Sequence, residues 1–120
     1  IGIVGSLLNI GTIYNNQSDY PKALDYYHRA LKMVEEIGNK KAFATGLTNL
    51  CSLYYKLSKD TILSQIKSES KYVILNKEIN LNKSIEYSLN ALKISEEINS
   101  KGTMINIYYN LHNAYYDKGM

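Results

Sequence analysis

The phrase ALKMVEEIGNK, beginning at Ala30, returns as ALKISEEINSK at Ala91. A phrase repeated at a fixed offset marks a structural unit written more than once, and units of this size bury their apolar faces by stacking on one another. The repetition reaches well beyond the phrase. NIGTIYN from Asn9 recurs as NLCSLYY from Asn49 and as NLHNAYY from Asn110, at offsets of 40 and then 61. DYPKALDYYHRALKMVEEI from Asp19 matches NLNKSIEYSLNALKISEEI from Asn80, at the larger of the two offsets. The larger offset exceeds the smaller by 21, so an insertion of that length lies between Tyr55 and Asn80, near 59–79.

Within each unit the apolar residues recur at helical spacing. Ala23, Tyr27, Ala30, Leu31 and Val34 fall three and four apart and form one stripe on a helix, and strand-like alternation is absent. Asp19 is placed to cap this helix, Pro21 sits in its first turn where a missing N–H is tolerated, and Gly38 follows the last periodic residue. The spacing therefore predicts a helix over 19–37. Upstream, Leu7, Ile10, Gly11 and Tyr14 make a second stripe, and NNQS at 15–18 reads as a short turn. Two antiparallel helices packed face to face follow. The expected units are 4–43, 44–104 with the insertion, and an incomplete 105–120.

At this point the residues resemble the tetratricopeptide repeats. Leu7, Ile10, Gly11 and Tyr14, followed by Tyr20, Ala23, Tyr27 and Ala30, match that family's signature nearly slot for slot. The resemblance implies an all-α fold, a right-handed superhelical stack of about two and a half helical hairpins. The first offset of 40 and the absence of proline near the end of the second helix depart from the usual repeat of about 34. These features resemble the longer-unit subgroup of bacterial signalling and adaptor proteins. The second unit also departs, with Leu81, Ser84 and Ser88 in the slots of Tyr20, Ala23 and Tyr27. His112 stands where Gly11 and Cys51 stand earlier, and its bulk is expected to push a following helix away. An orphaned α-helix in the third unit is expected to expose Tyr108, Leu111 and Tyr115 and to offer a surface for a second copy. A chain that starts at Ile1 and stops within its third unit reads as part of a longer polypeptide.

Composition argues mainly by exclusion. The net charge of +3 is spread along the chain without a block of like charge, which disfavours direct contact with nucleic acid. No apolar run approaches the ~20 residues of a membrane span, so no membrane contact is expected. One cysteine cannot build a disulfide framework, in keeping with a cytoplasmic setting. Cys51 occupies a tight-packing slot and reads as a small core residue; His28 and His112 lack a partner at metal-ligand spacing. Glu35, Glu36, Glu96 and Glu97 end helices and suit a joint between units better than acid–base chemistry. No phosphate loop or nucleophile elbow is present, and neither catalysis nor a cofactor is expected.

What the resemblance leaves for function is a groove lined by the first helix of each unit. Asn9, Asn49 and Asn110 hold equivalent slots, and amides carrying both donors and an acceptor can pair with the backbone of an extended peptide. In the family this slot contacts ligand, which the resemblance carries onto these three residues. Their inner-face neighbours are Thr12 and Asn16 in the first unit, Thr45, Ser52 and Lys56 in the second, and Asn106, Tyr109, Asn113 and Tyr116 in the third. The competing reading is that the asparagines bridge helices. With Lys56 as the one clear inward cation, a clamp for acidic C-termini is disfavoured. The expected role is a peptide- or protein-binding scaffold in a bacterial regulatory protein; a peptide-pheromone receptor and a structural or dimerisation module are the alternatives. The insertion carries Ile62, Leu63 and Ile66, then Val73, Ile74 and Leu75, and is expected either to prolong the hairpin as a protrusion or to tuck against the second unit.

Overall fold

A computed structural model describes residues 2–66 and 72–119, and all regular elements among them are helices. They are α1 (Gly2–Asn16), α2 (Tyr20–Ile37), α3 (Lys40–Lys56), the single turn α4 (Asp60–Leu63), α5 (Lys77–Glu97) and α6 (Lys101–Lys118). The pairs α1 with α2, and α3 with α5, form antiparallel hairpins, and α6 packs on α5 and α3. The molecule measures 37 × 34 × 20 Å. Its least dimension is two helix diameters of about 10 Å, and contacts pass from α1 to α2, α2 to α3, α3 to α5 and α5 to α6, an alternation that sets α1, α3 and α6 in one layer and α2 and α5 in the other.

The ends of α2 fall where its sequence marks them. Asp19 Oδ1 accepts from the Lys22 N–H at 3.3 Å. Gly38 takes the left-handed conformation at φ 82°, and its N–H returns to the Val34 carbonyl at 2.9 Å. In the second hairpin Asn99, which holds the slot of Gly38 in the repeat register, turns the chain at φ 55°, a conformation asparagine tolerates better than most residues.

The second hairpin departs from the alignment at its other end. Asn80 aligns with the capping Asp19, but α5 begins a turn earlier, at Lys77, with Asn76 accepting from the Ile79 N–H at 3.0 Å. The cause is the residue that replaces Pro21. A proline ring would obstruct the carbonyl four residues back and so fixes the start of α2, whereas Asn82 permits the extra turn. Asn80, freed from capping, is fully buried and donates through Nδ2 to the carbonyls of Leu57 at 2.9 Å and Ile74 at 2.6 Å.

Two apolar clusters hold the layers together. One joins Tyr20, Ala23, Leu24 and Tyr27 of α2 to Leu50, Leu53 and Tyr54 of α3. The other joins Leu47 to Leu81, Ile85 and Ala91 of α5 and to Ile107, Leu111 and Ala114 of α6. The described part of the insertion tucks inward: Ile62, Leu63, Ile66, Tyr72 and Val73 pack on the first cluster. Residues 67–71 of the expected insertion lie outside the described residues. The expected exposure of the α6 stripe is corrected at two positions. Leu111 is buried and Tyr115 half-buried, because α5 and α3 cover that side of the helix, while Tyr108 is 55% exposed.

Candidate binding groove

The helices α1, α3 and α6 run parallel, in a register fixed by side-chain bonds between them. Lys56 Nζ donates to Asn15 Oδ1 at 3.0 Å, joining the ends of α3 and α1. Asn110 Nδ2 donates to Ser52 Oγ at 3.3 Å and to Cys51 Sγ at 3.4 Å, joining α6 to α3. Asn9, Asn49 and Asn110 thereby lie at one level of the layer, within a helical turn, but in different circumstances. Asn9 is exposed and Asn49 half-buried, and neither side chain hydrogen-bonds to another described residue. Asn110 spends its amide N–H groups on α3.

The neighbours divide in the same way. Thr12 Oγ1 donates to the Leu8 carbonyl at 2.9 Å and lies 3.0 Å from the Tyr27 hydroxyl, so it supports the first hairpin although the residue is exposed. Thr45 donates back to the Lys41 carbonyl at 3.1 Å. Lys56 is held by Asn15 and stands 5.8 Å from the centre of the Tyr20 ring. Ser52 accepts from Asn110. Asn16 and Asn106 are exposed and Asn113 is half-buried; Tyr109 and Tyr116 are 68% and 76% exposed. The surface is therefore rich in amides and phenols, with its one cation already engaged. Sequence reasoning missed Asn15, whose only signal was its place one turn after the Gly11 slot.

His28 lies on the other layer, inside an aromatic group. Its Nε2 is 2.9 Å from the Tyr54 hydroxyl, and its ring stacks on Tyr72 at 3.9 Å. Tyr87 stacks on Tyr54 at 5.5 Å. Burial raises the Tyr54 phenol far above its ordinary range, with the neighbouring Tyr87 and Tyr72 adding to the shift. The phenol thus remains protonated, and His28 serves packing. Cys51 is likewise buried, and burial holds its thiol above the usual value, opposed by hydrogen bonds led by Ser88. A buried, protonated thiol is a poor nucleophile.

A second concavity of about 610 Å³ opens where α3 and α6 end and α5 begins, lined by Ser58, Lys59, Asp60, Lys77, Glu78, Asp117 and Lys118. Its cations are engaged: Lys59 pairs with Asp117, Lys77 with Asp60 at 3.5 Å, and Lys118 with Asn82. With Asp60, Glu78 and Asp117 set against Lys59, Lys77 and Lys118, the lining carries no net charge to attract an ionic ligand. Among the described residues no three His, Cys, Asp or Glu side chains come together as metal ligands, and no helix is long and apolar enough to cross a membrane.

Fold and surface together define a class, the all-α stack of helical hairpins. Residues 5–35, which take in nearly all of α1 and α2, match the Tetratricopeptide repeat family model. No curated protein and no solved structure matches the chain.

Proposed function

We propose that the layer formed by α1, α3 and α6 binds an extended peptide or protein segment, as the sensory or adaptor part of a larger bacterial regulatory protein. The observation that carries this reading is the set of uncommitted side chains sharing one layer: Asn9 and Asn49 with free amides, beside Tyr109 and Tyr116 standing largely in solvent. Exposed phenols supply broad contact area at low entropic cost, and amides supply backbone-directed hydrogen bonds. Asn110 favours the structural alternative at its own position, since its amide already ties α6 to α3.

The test is binding of a mixed peptide library to the chain and to a variant carrying Asn9→Ala, Asn49→Ala, Tyr109→Ala and Tyr116→Ala, with Asn110 kept so that packing is undisturbed. Circular dichroism confirms that both fold. Affinity is expected to fall at least tenfold, a loss of about 1.4 kcal/mol or more. Equal binding by the folded variant would place any ligand elsewhere.

A further inference from the structure

The concavity where α3 and α6 end and α5 begins carries chemistry that a peptide groove on the other helices does not use. Its volume of about 610 Å³ falls in the usual range for small-molecule sites, roughly 300–1,000 Å³. Of the three cations and three carboxylates that line it, two pairs cancel, Lys59 with Asp117 and Lys77 with Asp60. One charge of each sign is left over. No hydrogen bond or ion pair joins the Glu78 carboxylate to another described residue. Lys118 donates to Asn82 Oδ1, a neutral amide, so its positive charge stays uncompensated.

The two leftover charges are held near one another. Glu78 and Asn82 stand four residues apart on α5 and share a face, with roughly 6 Å between their Cβ atoms. Lys118, anchored on Asn82, therefore presents its ammonium about one helical turn from the Glu78 carboxylate, and the two form no ion pair with each other. Leu81, three residues after Glu78 on the same face, supplies the apolar part of the lining. The opposite wall is pinned by the bond from Lys59 to Asp117, which holds the carboxyl below and the ammonium above their ordinary values. Perturbed titratable groups set in a concavity are a mark of binding sites.

We infer that this concavity binds a free α-amino acid with a large apolar side chain, its ammonium on Glu78, its carboxylate on Lys118 and its side chain against Leu81. Charge decides the class. A simple anion satisfies Lys118 and is repelled by Glu78, a simple cation does the reverse, and a molecule that bears both charges satisfies both. Two charge-assisted hydrogen bonds of about 2.8 Å, added to the short ammonium-to-carboxylate span of an α-amino acid, reach across one helical turn. The remaining volume admits a side chain of aromatic size, and lysine ammoniums along the wall favour an aromatic face. Asn9, Asn49, Tyr109 and Tyr116 take no part in this site, so it is independent of the peptide groove.

Titration of phenylalanine into the isotopically labelled chain, followed by amide NMR shifts up to about 10 mM, tests the site, since that level saturates a site with a Kd of about 1 mM. Saturable shifts should centre on 77–82 and 117–119. N-acetylphenylalanine lacks the ammonium, phenylalaninamide lacks the carboxylate and glycine lacks the side chain; each should bind about threefold or more weakly than phenylalanine. Glu78→Gln should abolish the preference for phenylalanine over its acetyl derivative, and Lys118→Gln the preference over the amide. Both positions are exposed, and circular dichroism checks that the variants fold. Losses matched group by group form a cycle that a general disturbance of the fold would not reproduce. Absence of saturable shifts overturns the inference, as do shifts centred on Asn9 and Asn49, binding of any of the three analogues as tight as that of phenylalanine, or a preference that survives its matching substitution.

Discussion

At the scale of single residues, Gly11 and Gly102 separate intrinsic helix preference from packing. Both are helical glycines, so alanine gains up to about 1 kcal/mol from preference alone, less near a helix end. At Gly11 the new methyl would meet two atoms of the buried Tyr27 ring at 2.6 and 2.7 Å, whereas at Gly102 nothing lies within 4 Å. Overpacking of a well-filled interior costs typically ~1–3 kcal/mol, which outweighs the gain. Denaturant titration should therefore show Gly11→Ala less stable by up to about 2 kcal/mol and Gly102→Ala more stable by a few tenths to about 1. The small-residue slot at Gly11 was legible in the sequence because it recurs in register as Cys51. The partner of Asn110 was not: its bond to Ser52 depends on how closely α6 approaches α3, a distance that no local spacing encodes.

Among the elements, the caps of α2 were readable because Asp19, Pro21 and Gly38 act on their own neighbours. The earlier start of α5 was hidden by the same alignment that revealed the repeat, since a match to Asp19 suggested a cap at Asn80 and the absent proline left no mark of its own. The insertion was the least legible element. It lacks a repeat counterpart, and its anchors are distant in sequence, Tyr72 stacking on His28 and Asn80 reaching back to Leu57. His28→Ala removes both the ring beneath Tyr72 and the hydrogen-bond partner of the buried Tyr54 hydroxyl. Leaving such a group unsatisfied costs about 1–3 kcal/mol. The expected result is a loss of that size by thermal or urea unfolding, with faster amide exchange across 60–66 than across α6; uniform exchange rates would show that the insertion is not held from α2.

For the molecule as a whole, one end of the layer formed by α1, α3 and α6 is tied through Lys59 and Asp117, which join the segment after α3 to the end of α6. The hydrogen bond from Lys59 holds the Asp117 carboxyl below its ordinary value, and the same bond raises the Lys59 ammonium above its own. A lowered carboxylate value means stability that is complete above the unfolded carboxylate range and lost as pH falls through the folded value. A raised lysine value means stability lost as pH rises beyond the ordinary lysine range. Both partners are partly exposed, so solvent screening limits the pair to about 1 kcal/mol or less. Asp117→Asn should lower the melting temperature by a few degrees at pH 7 and by progressively less as pH falls through the folded value of the carboxyl, below which both chains carry a neutral side chain. A deficit that persisted in acid would mean that the asparagine disturbs packing.

The double bond made by Asn80 has a further meaning at this scale. Its Nδ2 holds the Leu57 oxygen at 2.9 Å and the Ile74 oxygen at 2.6 Å, so the two ends of the insertion lie within the hydrogen-bonding reach of a single nitrogen atom. The excursion leaves and rejoins the stack at one point, and lengthening a closed loop costs little, about 0.6 kcal/mol per doubling. A foreign module could therefore be carried at this junction without altering the pitch of the hairpins on either side, provided that Ile62, Leu63, Ile66, Tyr72 and Val73 keep their places against the first cluster.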